Sequence, residues 1–255
     1  MPTSNPVLKS FDALDDSGYK SNQDAMTLQG TICKSILLLL VLGVVTGGAF
    51  IWFTDWARTH HGEVAYIYII RIFAVSFFGS ICLVIASVMR KQISPITAPL
   101  FSVTEGVALG MASAACNMRY PGVAIQAIGL TVAMCVCLLV SYGLGWITIR
   151  ATFSKKLSFA LCGAIAYCAA SILLVLAGVR GVPFATAGVL GGLASVVVVV
   201  LPGAALVATC DAVVKLSGEG KPKYLEWFAA LGIVTSLVWI YYEMLEMLSK
   251  ARRSG

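Results

Sequence analysis

Three acidic side chains, Glu105, Asp211 and Glu243, stand within or at the edge of stretches that are otherwise apolar and long enough to cross a membrane. A carboxylate at the middle of a bilayer costs roughly 2.5–3.5 kcal/mol on insertion scales, so such a residue is rare without a partner or a task. Two chemistries follow from this placement. A buried carboxyl resists ionisation, and a second carboxyl beside it strengthens that resistance, which makes such a pair a proton-binding unit. Once ionised, the same oxygens ligate hard cations such as calcium. The three acids are therefore read as an ion-binding site or pH sensor. Asp211 and Glu243 rank ahead of Glu105 and are the expected metal ligands. The plainer alternative is that each acid caps a helix or pairs with a basic residue. For Glu105 the basic residues nearest in sequence are Arg71 and Arg90.

The elements that must position these acids are set by charge-free runs. A hydrocarbon core of about 30 Å takes about 20 helical residues. Lys34 and Asp55 bracket the first run, Ser35–Thr54. The second is Ile67–Met89, with Arg71 near one end, and the third is Ile96–Cys116, interrupted by Glu105. Gly122–Ile149, Leu157–Ala177, Thr186–Asp211 and Leu225–Leu248 complete a set of seven. The fold class is therefore all-α, a polytopic membrane bundle of seven transmembrane helices with short connections. Residues 1–33 form a polar N-terminal segment, 34–249 the transmembrane domain, and 250–255 a short basic tail.

Composition agrees. Of 255 residues, 59% are hydrophobic and only 12% charged, against about 25% charged in soluble domains. The net charge of +6 reads as Lys and Arg gathered in loops facing an anionic leaflet rather than as a nucleic-acid surface. The eight cysteines lie in or beside apolar runs without metal-ligand spacing, so they read as small packing residues. The first 30 residues lack an early apolar core followed by a cleavage site, which leaves the first span as the targeting signal.

Basic residues orient the chain. With the N-terminus in the cytoplasm, the inner segments hold eleven of them: Lys9, Lys20, Lys34, Arg90, Lys91, Arg150, Lys155, Lys156, Lys215, Lys221 and Lys223. The outer loops hold only Arg58, Arg119 and Arg180, a bias that favours N-in. Lys250, Arg252 and Arg253 stand against it. A last segment that re-enters rather than crosses would return them to the inside.

Several chemistries lack their parts. The two histidines, His60 and His61, fall in the first outer loop, so a Ser-His protease or a His-ligated metal or haem site within the membrane has no ligands. The last span holds no lysine for a retinal Schiff base, and no G-x-x-x-x-G-K-[ST] loop is present for nucleotide-driven pumping. An enzyme is not expected.

Four segments carry a resemblance: "MTLQGTICK" before the first span, "SPITAPLFSVTEGVALG" opening the third, "MRYPGVAIQAIGLT" leading into the fourth, and "KPKYLEWFAALGIVTSLVWIYYEMLEML" at the end. Together they resemble the bacterial, YccA-like branch of the Bax inhibitor-1 membrane family, the transmembrane Bax-inhibitor-motif superfamily, over about residues 5–250. The resemblance implies a seven-helix bundle with the last helix near the centre, and a pH-sensitive calcium leak down its gradient. It also implies an acidic pair, one on the sixth helix and one on the seventh, sharing a proton as the sensor, and a basic latch at the cytoplasmic end of the second helix. The sixth-helix acid corresponds to Asp211. Thr209-Cys210-Asp211 keeps only the second acid of the D-F-D that this branch tends to carry. The seventh-helix acid corresponds to Glu243 in "IYYEMLEML", and the latch to Arg90 or Lys91. Glu226 in "YLEWF" is a weaker candidate and reads as an interfacial residue beside Trp227.

Two functions from different classes remain. One is a cation leak channel, or a cation/proton exchanger, gated by carboxyl protonation. The other is a non-transporting membrane protein that regulates partners such as a membrane protease. No cofactor is expected, and calcium enters as a transported ion. The expected partners are the bilayer, calcium or protons, and other membrane proteins. Short loops and the absence of eukaryotic sorting signals point to a bacterial inner membrane rather than the endoplasmic reticulum.

Overall fold

The computed structural model describes residues 25–59, 63–144 and 189–254. Six helices in it are long and apolar enough to cross a membrane. They are α1 (Leu28–Thr59), α2 (Glu63–Met89), α3 (Ser94–Arg119), α4 (Val123–Gly143), α5 (Val189–Gly218) and α6 (Leu225–Ser254), with a 3-10 turn at Lys91–Ile93 between α2 and α3. Among the described residues the only extended pairing is an isolated bridge between Ala25 and Pro222. The expected fifth span, Leu157–Ala177, lies outside the described residues, as do the first residues of the expected sixth.

Local signals explain where the helices stop. Thr27 caps α1, its Oγ1 accepting the Gly30 N–H at 3.0 Å. Between α3 and α4 the chain turns through Gly122 at φ +85, where a side chain would be strained. The Gly122 N–H donates to Asn117 Oδ1 at 2.9 Å. Gly220, at φ +65, turns the chain between α5 and α6. Helix α5 runs past the expected boundary at Asp211 to Gly218, so this acid lies two turns inside the helix rather than at its end.

Direction follows from the contacts at the two faces. Near the start of α6, the Met26 N–H donates to the Lys221 carbonyl at 2.6 Å, and the Lys91 ammonium sits 5.5 Å from the centre of the Phe228 ring. At its far end Met247 and Leu248 pack with Tyr120 and Val123. Helices α1, α3 and α6 therefore run one way and α2, α4 and α5 the other. As a single 30-residue helix, α6 is about 45 Å long. It is long and apolar enough to cross in one pass, and its basic end stands at the face opposite Lys221.

Helices α3 and α6 form the interior. Helix α6 packs against α1, α3, α4 and α5, which agrees with a last helix near the centre. Leu38, Phe101, Ala230 and Val234 make one buried cluster where α1, α3 and α6 meet. The outward faces carry exposed Leu37, Val44, Val75 and Ile125, as lipid-facing helices do. Close approach of α1 to α3 depends on the glycine pair. A Cβ on Gly106 would lie 2.9 Å from Val45 Cβ, and one on Gly110 only 2.6 Å from Ala49 Cβ and from the Thr46 carbonyl. These small residues let the backbones meet.

Two outcomes are expected. Gly110→Val should force α1 and α3 apart and lower thermal stability in detergent by about 1–3 kcal/mol, the usual range for an overpacked site. Topology reporters should place 215–223 in the cytoplasm and Arg252 on the opposite side. A shared side would contradict a crossing α6.

Candidate functional site

Glu105 lies about eleven residues into α3, about 16 Å from its start and so near the middle of the span. It is only 3% exposed. Its carboxyl faces Ser80 of α2 and Tyr242 of α6, which brings three helices to one point. Ser80 Oγ is already engaged, donating to the Phe77 carbonyl at 2.8 Å. Glu105 Oε2 and the Tyr242 hydroxyl oxygen are both buried and close enough to each other to interact, yet neither makes a well-formed hydrogen bond. Phe73 meets the Tyr242 ring edge-on at 6.3 Å and closes that side with hydrocarbon. Next to Tyr242 in sequence, Tyr241 turns to α3 higher up, where its hydroxyl and that of Ser113 are 2.7 Å apart.

Among the described residues no charged group compensates Glu105. Arg71 and Arg90 are both exposed, so the counter-charge expected for Glu105 is not supplied by either. A long basic side chain remains in water when it can, and both reach it. Of the two residues expected as the latch, Lys91 is the buried one and reaches the last helix at Phe228.

Asp211 and Glu243 are not brought together. Ala212 and Val213 pack with Phe228 and Ala229, and Gly232 sits opposite Thr209. Asp211 is thus level with about residue 230 of the antiparallel α6. Glu243 lies about thirteen residues further on, about 20 Å at 1.5 Å per residue. Each acid has a local partner instead. Lys215 Nζ donates to Asp211 Oδ2 at 2.6 Å one turn along α5, and Trp239 Nε1 donates to Glu243 Oε1 at 3.2 Å within α6. The expected proton-sharing pair and its two-carboxylate metal site are therefore not formed. Among the described residues no group of three His, Cys, Asp or Glu side chains is placed to hold a metal ion.

Glu226 departs most from its sequence reading as an interfacial residue. It is 1% exposed and forms an ion pair with Lys34 of α1. It also accepts the Thr27 N–H at 2.8 Å and the Thr27 hydroxyl at 3.0 Å. The Lys34 ammonium lies 5.2 Å from the Trp227 ring centre. A Cβ on Gly30 would overlap the Glu226 carboxylate, so glycine is needed for this approach. The pattern in sequence was a capping threonine and a lysine spaced along one face of a helix. Nothing in it named a partner 199 residues away. The hydroxyl groups around Glu105 were equally hidden, although Ser94, Thr97, Ser102 and Ser113 recur at helical spacing along α3.

Residues 5–253 match the family model described as Bax inhibitor 1 like. No curated protein and no solved structure matches the chain.

Glu226→Gln should leave the Lys34 ammonium without its counter-charge. Thermal unfolding in detergent should show a loss of about 3 kcal/mol, the lower end for breaking a buried pair, because Lys34 is partly exposed. An unfolding curve like that of the wild type would show that Glu226 meets only solvent and headgroups.

Proposed function

The chain belongs to the Bax inhibitor 1 like family, and on that premise we propose that it conducts calcium or protons across a membrane under the control of an intramembrane carboxyl, Glu105. The observation that carries this reading is the buried Glu105 side chain, midway through the bundle, with one oxygen lacking a well-formed hydrogen bond and no charged neighbour among the described residues. An unpaired polar atom in an apolar interior is costly unless water, an ion or a proton serves it. Such a residue inside a membrane is a functional candidate by default.

Gating follows from the two charge states. Protonated, Glu105 is neutral and fits a closed junction of α2, α3 and α6. Ionised, it needs water or a cation, and the helices are driven toward whichever arrangement admits one. Glu243, one residue beyond Tyr242 on α6, adds a second carboxyl on the outer side of the junction, held by Trp239. Asp211 stands apart with Lys215 at the opposite face, where Lys91 reaches α6 as the latch. The membrane we assign is the bacterial inner membrane, with the N-terminus in the cytoplasm.

Flux into proteoliposomes carrying the purified protein tests this reading. Calcium or proton entry should rise with pH as Glu105 ionises. Glu105→Gln, which mimics the protonated acid, should hold flux low at every pH, whereas Asp211→Asn should leave the profile close to wild type. A pH response lost in Asp211→Asn and kept in Glu105→Gln would assign the sensor to the wrong carboxyl. Folded protein with no flux at any pH would favour the non-transporting regulator.

A further inference from the structure

Glu105 is not the only buried oxygen on α3 that lacks a partner. Ser94 Oγ, at the start of the helix, and Ser102 Oγ, one turn before Glu105, are fully buried and make no hydrogen bond. Between them Thr97 Oγ1 and Ser87 Oγ of α2 are 2.5 Å apart. Ser94, Ser102 and Glu105, eight and three residues apart, fall within about 80° of one another around α3, and Thr97 lies about 60° from Ser94 on its other side, where it meets Ser87 of α2. The side continues to Glu105 and the Tyr242 hydroxyl beside it. A run of buried hydroxyls with unfilled hydrogen-bonding capacity is unusual in a close-packed interior and marks places for ordered water.

We propose that this file of hydroxyls is a proton path joining Glu105 to the face of the bundle that carries Lys91 and Lys221. The proposal rests on the reading of Glu105 as the controlling carboxyl and specifies what reaches it and from which side. Each transfer forms one O–H bond and breaks another. A hydronium from solvent at the Ser94 end gives a proton to the file and leaves as water, each serine or threonine accepts one proton and passes on its own, and the Glu105 carboxylate takes the last. The hydroxyls are left neutral and re-oriented, and no oxidant or reductant is involved.

The donor set favours a proton over calcium at this point. Calcium takes six to eight oxygens, usually with several carboxylates, whereas Glu105 is one carboxylate among neutral hydroxyls and can neutralise one positive charge. The groups facing it from the packed helices are neutral: Ser80 from α2 and Tyr242 from α6, with Tyr241 bonded to Ser113 behind. Helix α1 between Lys34 and Asp55 has no charged residue, and neither does α4. The Arg71 side chain of α2 is exposed. Above Glu105 the file ends, because the Ser113 hydroxyl is taken by the Leu109 carbonyl and Tyr241.

Infrared difference spectroscopy on the full chain in lipid nanodiscs tests the path. The Glu105 carboxylic C=O band is the band that Glu105→Gln removes, and its shift in D2O reports proton exchange. Exchange should slow roughly tenfold or more in Ser94→Ala and Ser102→Ala, since each removes a relay oxygen from a dry site. Ser102→Thr, which restores the hydroxyl, should exchange like wild type, and so should Ser113→Ala, which lies beyond Glu105. Unchanged exchange in both alanine variants, equal slowing in Ser113→Ala, or no Glu105 band at any pH would overturn the path. Wild-type flux with unchanged exchange in the alanine variants would remove the path alone. Slowed exchange without any flux would remove the transport reading alone.

Discussion

A single carboxyl buried at the junction of α2, α3 and α6 constrains everything around it. Glu105 is buried from water, and among the described residues no basic side chain reaches it. The bundle therefore holds a group whose charged form has no compensation and whose neutral form is only partly bonded. In a medium without competing water every such deficit counts in full. Its neighbours suit that condition. Ser80 and Tyr242 present hydroxyls, Phe73 excludes solvent, and the glycine pair at 106 and 110 brings α1 close enough to seal the far side of α3. The closeness of α1 to α3 and the dryness of Glu105 are thus one feature seen from two helices.

A second buried carboxyl shows the opposite solution. Glu226 is as deeply enclosed as Glu105, yet its oxygens meet an ammonium, a backbone N–H and a hydroxyl. Desolvating an ion pair offsets much of its attraction, so a pair of this kind is weak evidence of net stabilisation. What it does fix is register. The clamp ties the first turn of α6 to the cap of α1, and the Met26–Lys221 backbone bond holds the same corner. Helices α1 and α6 start level there, and Tyr242 then arrives opposite Glu105 one length of helix away. A satisfied carboxyl at one end places an unsatisfied one in the middle.

The family to which the chain belongs led to the expectation of an acidic pair on the last two helices, and antiparallel geometry separates the residues chosen for it. Two residues on an antiparallel helix pair face each other only if they lie about equally far from the connecting loop. Asp211 is about seven residues before the end of α5, whereas Glu243 is about eighteen after the start of α6. The positions of α6 level with Asp211 are Ala229, Ala230 and Leu231, which are buried and apolar. Asp211 turns instead to Lys215, a half-exposed pair worth little to stability.

The sequence by itself determined the class, the existence of each described span and their alternating direction, because these depend on runs of apolar residues and the reach of a helix across hydrocarbon. It also singled out Glu105, since a charge within an apolar run is a local signal. Which groups meet was decided only by the tertiary structure. Glu226 read as interfacial because its neighbours in sequence are aromatic, and its true partners Thr27 and Lys34 come from the far end of the chain. Arg71 read as a partner for Glu105 because it is one of the basic residues nearest to it in sequence, yet α2 turns it outward. The hydroxyls on α3 became a file only when α2 and α6 covered them. A serine that faces lipid and one that faces a buried carboxyl are the same letter in a sequence, and only the packing of other helices distinguishes them.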